Sequence, residues 1–298
     1  MTDPVNNRPF AAALSMLSAM AVIGFIDNFV GEISETVSVW QFLLMRSTVM
    51  CPLILGMSLW GLGTLRPRRW RPVLARSAVI TCAMMLYFGA LGLMPIAQAI
   101  AGLFTSPIFV LLINVLIMKQ RIGPWRIAAV FIGFAGILMV LQPGGDGFGW
   151  VMLMPVAAGM FYAVSSIATR SWCAGESALT LLGANMALMG LVGGVVAMAL
   201  GVFGSTGENF LSRPPTLEIL PIMPVVVLQA VGSVFGVFLI IRAYQLDEPT
   251  NVAVFEYSAL LFAPLFAFLL FGQGLGVPQI VGIFMIAGSG VIIAVRST

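Results

Sequence analysis

Three ionisable side chains, Asp27, Arg46 and Glu256, lie inside long apolar runs of the sequence. An ionised group at the centre of a bilayer costs ~2.5–3.5 kcal/mol on insertion scales, so such residues turn toward a bundle interior or a wet cavity. Two kinds of chemistry suit them there. A guanidinium is a planar fork of donors matched to a carboxylate, so Arg46 either meets a substrate carboxylate or forms a fixed ion pair with Asp27 or Glu256. Each carboxylate, in turn, is a candidate proton carrier or the other half of such a pair. At 1.5 Å per residue, Arg46 lies about 14 Å from the outer end of its run, with each carboxylate roughly 7–8 Å from it in height.

Other chemistries lack their residues. The chain has no histidine, which removes HExxH metal sites, histidine bases and His-containing triads. No GxxxxGK[ST] loop is present to cradle nucleotide phosphates, and no connection is long enough to hold a nucleotide-binding domain. No enzyme, metal, cofactor or ATPase partner is therefore expected. Cys51, Cys82 and Cys173 are odd in number and far apart, and read as small apolar fillers rather than a disulfide or metal set. The net charge of +3 is sorted along the chain rather than gathered in a stripe, so nucleic acid is not an expected partner.

The elements that must position these groups follow from composition. With 60% hydrophobic and 8% charged residues in 298, the chain has too little polar surface to cover a water-soluble core. Apolar runs at 10–31, 37–60, 73–92, 95–117, 124–141, 149–169, 177–203, 219–241, 250–271 and 278–295 are each long enough, or nearly so, for a helix to cross ~30 Å of hydrocarbon. The expected fold is an all-α integral membrane protein of ten transmembrane helices. The first run is too long for a typical signal peptide and reads as a retained span. With a cytoplasmic N-terminus, Arg66, Arg68, Arg69, Arg71, Lys119, Arg121, Arg126 and Arg170 fall in inner loops, and Arg8, Arg76, Arg242 and Arg296 at inner ends of spans. Only Arg213 falls outside, so the positive-inside rule places both termini in the cytoplasm.

The sequence also repeats at an offset of 154 residues, Pro95 matching Pro249, Pro124 Pro278, Ile132 Ile286 and Gly136 Gly290. The runs then divide five and five, into a repeat at 1–142 and a second at 143–298. An odd number of spans per unit inverts the second relative to the first, a recurring transporter plan with the substrate site at the repeat interface.

Helical spacing groups polar and small residues on shared faces. Glu256 aligns with Ala253, Ala259, Ala263 and Ala267, a close-packing seam, away from Phe255, Phe262 and Phe266. Gln98 aligns with Ala101, Gly102 and Thr105; Tyr162 with Ser165, Ser166 and Thr169; Gln229 with Gly232, Ser233 and Gly236; Asp27 stands between Gly24 and Gly31. These faces either converge on one polar-lined cavity or bond neighbouring helices, at ~0.6 kcal/mol each. Pro107 and Pro264 are candidate bends or gates in the fourth and ninth runs.

Ten helices in two EamA-like halves, the arginine of "QFLLMR" in the second span and the proline-led fourth and ninth spans resemble the drug/metabolite transporter superfamily over nearly the whole chain, and within it the YddG-type amino-acid exporters of bacterial inner membranes. That resemblance implies a multi-pass inner-membrane protein that exports aromatic and other hydrophobic amino acids by alternating access. Arg46 would orient the substrate carboxylate, while Tyr87, Gln98, Tyr162, Ser166, Ser233 and Glu256 would line the cavity. Where many relatives carry an acidic residue after the fourth and ninth spans, this chain has Gln120 and Gln273. The alternative is export of a drug-like cation, a nucleoside or another small metabolite; a lipophilic cation would favour Glu256 over Arg46 as its anchor.

Overall fold

The computed structural model describes residues 8–117, 119, 124–141, 150–204 and 207–295. Gln120, Arg121, Arg296 and the 142/143 repeat boundary lie outside the described residues, as does the side chain of Arg126. Among the described residues the chain is helical and holds no strand. Helix α1 (Pro9–Ile26) continues through a 3-10 turn at Asp27–Phe29 into α2 (Val30–Thr36). Then follow α3 (Val39–Leu59), α4 (Trp70–Leu91), α5 (Ile96–Leu103), α6 (Ser106–Leu116) and α7 (Pro124–Leu141). The remainder comprises α8 (Leu153–Ser171), α9 (Ala178–Val202), α10 (Met223–Leu246), α11 (Pro249–Glu256), α12 (Ala259–Phe271) and α13 (Val277–Val295).

Among the described residues, six helical segments are long and apolar enough to cross a membrane: Pro9–Thr36, Val39–Leu59, Trp70–Leu91, Ile96–Leu116, Ala178–Val202 and Leu220–Leu246. Shorter apolar helices stand beside them at Ala259–Phe271 and Val277–Ser289. Phe131, Leu191, Phe268 and Phe284 all point outward and are exposed, a surface suited to hydrocarbon rather than water.

The packing follows a two-fold pattern. α1 packs on α10 as α8 packs on α4, and α1 meets α11 and α12 as α8 meets α5 and α6. Likewise α3 meets α10 as α9 meets α4, and α5 meets α7 as α11 meets α13, while the pairs α3–α9 and α7–α13 are their own counterparts. The α7–α13 crossing is close because it is made by glycine: a Cβ on Gly136 would lie 2.7 Å from the Gly282 carbonyl oxygen.

The fourth and ninth apolar runs are not the continuous helices expected. Each is two helices, broken at Phe104–Thr105 and at Tyr257–Ser258, positions that the 154-residue offset brings to within one residue of each other. The causes differ. In the fourth run Pro107 stands in the first turn of α6; it has no N–H for the Leu103 carbonyl, and its ring crowds that oxygen. Gly159 of α8 lets the break approach, since a Cβ there would lie 2.6 Å from the Leu103 oxygen and 2.5 Å from Thr105 Oγ1. In the ninth run no proline stands at the break; the Ser258 hydroxyl donates to the Phe255 carbonyl there (2.7 Å), a bond that Ser289 also makes to the Ile286 carbonyl within the unbroken α13. Pro264 lies farther on, inside α12, which continues through it.

Candidate functional site

Two buried polar clusters occupy the middle of the bundle. In the first, Asp27 Oδ2 accepts from the Tyr87 hydroxyl of α4 (2.6 Å) and Oδ1 from Gln229 Nε2 of α10 (3.3 Å). Ser233 Oγ donates to Gln229 Oε1 (3.2 Å) and so orients that amide. Arg46 of α3 stacks on Phe88, its Cζ 4.8 Å from the ring centroid, a cation–π contact. Its Nη1 lies 4.0 Å from Met189 Sδ, and its Nε has no hydrogen-bond partner. Asp27 supplies the carboxylate field that Arg46 feels, yet among the described residues no ion pair forms on Arg46.

In the second cluster Glu256, fully buried at the end of α11, accepts from Tyr244 Oη of α10 (2.5 Å) and from Ser106 Oγ, in the first turn of α6 (3.0 Å). A carboxylate at a helix N-terminus is also favoured by the helix dipole. The Tyr162 hydroxyl lies near this carboxylate without a well-aligned bond to it. Arg76 of α4 donates from Nε to Thr169 Oγ1 of α8 (3.1 Å), and its Nη1 has no partner.

Between the clusters lies a cavity of about 60 Å³, well below the ~300–1,000 Å³ of a site that holds a drug-sized ligand. Side chains fill most of the space between the helices here. Arg76, Ile80, Met84, Tyr87 and Phe88 line it along α4, a run of i, i+4, i+8, i+11 and i+12 that puts them on one helix face. Asp27 and Arg46 complete the charged lining; Tyr162, Ser165, Ser166, Thr169, Asn185 and Tyr244 contribute hydroxyls and an amide from α8, α9 and α10.

Of the residues singled out in the sequence, Asp27, Arg46, Tyr87, Tyr162 and Ser166 line this cavity. Gln98, Ser233, Glu256, Pro107 and Pro264 do not: Ser233 and Glu256 are buried behind it, Gln98 is partly exposed on α5, and Pro264 borders a separate recess with Pro95 and Gln273. The alanines aligned with Glu256 are buried across the helix break. Arg76 is a correction. Expected at an inner end among loop arginines, it is only 4% exposed and lines the cavity, because six residues separate it from the start of α4, about 9 Å of rise. Phe88, Asn185 and Tyr244 were not anticipated; the α4 spacing that aims Tyr87 inward carries the signal for Arg76 and Phe88 as well.

Side-chain-to-backbone bonds join neighbouring elements at both ends of the bundle. At one end the Gln41 amide donates to the Thr216 carbonyl (2.6 Å) and accepts from the Thr216 N–H (3.0 Å), while Trp40 Nε1 donates to the Leu211 carbonyl (2.8 Å). At the other, the buried Glu176 carboxylate accepts the backbone N–H groups of Arg68 (2.9 Å) and Arg69 (2.8 Å), and Gln245 Nε2 donates to its carbonyl (2.9 Å).

The family model for the EamA-like transporter family matches this chain twice, at residues 10–142 and 149–295. The chain belongs to the EamA-like transporter family. It is a multi-pass membrane protein of a transporter family, within the drug/metabolite transporter superfamily. The riboflavin transporter of Rhizobium johnstonii is 35% identical over 150 residues, a match that spans 50% of this chain and 49% of that protein. The riboflavin transporter of Vibrio cholerae is 26% identical over 280 residues, 90% of this chain and 87% of that one. The S-adenosylmethionine uptake transporter of Rickettsia bellii is 23% identical over 227 residues, covering 76% and 72%. A solved crystal structure has the same fold, with a TM-score of 0.71 over 96% of this chain and 97% of its own at 17% identity.

Proposed function

We propose that this EamA-like protein is a carrier of a small metabolite in a bacterial inner membrane, working by alternating access around the cavity between α1, α3, α4, α8, α9 and α10. The observation that carries this reading is a small, charged and hydroxyl-rich cavity at the centre of a bundle whose two ends are each held by side-chain-to-backbone bonds. Such bonds can be exchanged one end at a time. We take the chain as ten spans in two inverted halves, 1–142 and 143–298, with both termini cytoplasmic. The two-fold packing, the double family match and the lysine and arginine distribution support that arrangement.

The activities borne by the relatives' names favour the small-metabolite alternative over export of aromatic amino acids. In this reading Arg46, Tyr87, Tyr162 and Ser166 contact substrate. Asp27 and Glu256 hold the two poles of the site and are the candidates for a carried proton; Gln98 and Ser233 act from behind the lining. Uptake of radiolabelled riboflavin, S-adenosylmethionine, nucleosides and amino acids into proteoliposomes, with and without a pH gradient, tests it. Saturable flux of a metabolite is expected. No flux of any compound would sink the carrier reading, and flux indifferent to the gradient would sink the proton role.

A further inference from the structure

We propose that the cavity selects an acceptor-rich, uncharged or anionic planar heterocycle, gripped toward its two ends by Arg46 and Arg76, and that it disfavours cations. The proposal rests on the carrier reading and names the substrate class of the same site.

Two buried guanidinium groups line one cavity, Arg46 2% and Arg76 4% exposed. Each keeps an N–H without a partner, Nε on Arg46 and Nη1 on Arg76. A buried donor left unsatisfied is costly, and a ligand acceptor that meets it recovers that cost as affinity. The carboxylates that would otherwise neutralise these groups are engaged elsewhere. Asp27 is held by Tyr87 and Gln229. Glu256 is held by Tyr244 and Ser106 and stands behind the lining. Among the described residues the charged lining is thus Arg46 and Arg76 against Asp27, an excess of positive charge in a setting of low dielectric, where like charges repel strongly. A cation entering this site meets two guanidinium groups and one carboxylate already bonded twice.

Spacing sets the shape. Arg46 sits over Phe88, and Phe88 is twelve residues from Arg76 on α4, about 18 Å of helix rise. Apolar and adaptable side chains, Ile80, Met84, Phe104, Met186 and Ile241, share the lining with the hydroxyls of Tyr162, Ser165 and Ser166. Methionine and aromatic walls suit a flat ring system, and a guanidinium fork suits paired carbonyl and ring-nitrogen acceptors better than a point charge would. Riboflavin has this character, an uncharged tricyclic dione with a hydroxylated chain. S-adenosylmethionine carries a fixed sulfonium charge for which the lining offers no free carboxylate. The lining therefore divides the two activities found among the relatives and sides with the first.

The test is equilibrium binding to the full chain in nanodiscs, with riboflavin read by its own fluorescence and S-adenosylmethionine and phenylalanine by calorimetry, alongside proteoliposome flux of the same compounds. Riboflavin is expected to bind at least tenfold more tightly than S-adenosylmethionine. Arg46→Gln and Arg76→Gln should each weaken riboflavin about tenfold to a hundredfold, the range for a lost charge-assisted hydrogen bond. Arg46→Lys and Arg76→Lys keep the charge, lose the fork, and should each weaken it about tenfold. Variants are compared only where they remain monodisperse; the ligand comparison on the unaltered protein stands without them. S-adenosylmethionine or phenylalanine binding as tightly as riboflavin, or riboflavin affinity unmoved in the folded Arg76 variants, overturns the proposal. Flux of either compound without riboflavin binding overturns it and leaves the carrier reading intact, whereas no flux and no binding of any compound removes both.

Discussion

The bond between Tyr244 and Glu256 offers the sharpest test of how the second cluster is held. Both residues are buried, 1% and 0% exposed, and the phenol donates directly to Oε1. Tyr244→Phe removes one oxygen and leaves the ring in its place, so lost packing contributes little. The size of the effect depends on the charge of the carboxylate. A hydrogen bond to an ionised group contributes ~1.5–3 kcal/mol, whereas uncharged interhelical bonds in membranes average ~0.6 kcal/mol. Combining Tyr244→Phe with Glu256→Leu, which leaves no acceptor, in a double-mutant cycle isolates that interaction from the rest of the site. With Ser106 Oγ as the second donor to Glu256, we expect a coupling of ~1.5–3 kcal/mol, that of an ionised carboxylate held between two hydroxyls. Reversible unfolding from bicelles by steric trapping supplies the four free energies. A coupling near zero would refute the arrangement itself, because no charge state of a carboxylate so bonded makes the hydroxyl irrelevant. A coupling near ~0.6 kcal/mol would retain the geometry and refute the ionised state.

Other consequences are simpler. Gly159→Ala places a Cβ against the Leu103 oxygen and Thr105 Oγ1, and should destabilise the bundle by ~1–3 kcal/mol, as overpacking does, measured by the same unfolding assay. Glu176→Ala strips the acceptor from two backbone N–H groups and should raise labelling of the native Cys173, buried in the same turn; unchanged labelling would mean that this carboxylate does not hold that end. Cys173, in the turn after α8, is buried, which pushes its thiol above the ordinary range. Since the thiolate is the nucleophile, maleimide modification there should be slow at neutral pH, climb as pH rises, and become fast on unfolding; rapid labelling of the folded protein at pH 7 would contradict the burial.

Periodicity reached the helices, because a run of apolar residues leaves the backbone few other ways to satisfy its hydrogen bonds in lipid. It reached Asp27, Arg46, Tyr87 and Tyr162 because the bilayer penalty forces such groups inward. It did not reach the breaks. Pro107 marks one, but the other has no proline at it: Ser258 bonds the Phe255 carbonyl there, as Ser289 bonds the Ile286 carbonyl within the unbroken α13, so no local residue announces the break. Arg76 was hidden by its own plausibility as an inner-loop cation; only its rotation on α4 relative to Tyr87 distinguishes it. The partners of Asp27 and Glu256 come from helices far along the chain, and nothing local encodes that Tyr87 finds one and Tyr244 the other.

The distribution of these bonds between the two proposed halves bears on how the cavity opens. Each carboxylate has one donor from its own half and one from the other: Asp27 has Tyr87 and then Gln229, Glu256 has Tyr244 and then Ser106. Arg76 and Thr169 also bond across halves. α1 packs on α10, α11 and α12, and α8 on α4, α5 and α6, so each packed group mixes helices of both halves. If these two groups rock against each other, Asp27 keeps Gln229 and Glu256 keeps Tyr244 within one group, while the bonds to Tyr87 and Ser106 pass between groups and must be exchanged. Gln229→Leu and Tyr87→Phe should then behave differently. The first removes a bond present in every conformation and should lower stability by ~1.5–3 kcal/mol if Asp27 is ionised, with transport falling in proportion to folded protein. The second removes a bond present only when closed, so stability should change less while the closed state loses its advantage, seen as greater solvent access to a cysteine placed at Met84 in the cavity lining. If Tyr87→Phe leaves that access unchanged, the bond between the groups does not hold the closed state, and the rocking motion loses its structural basis.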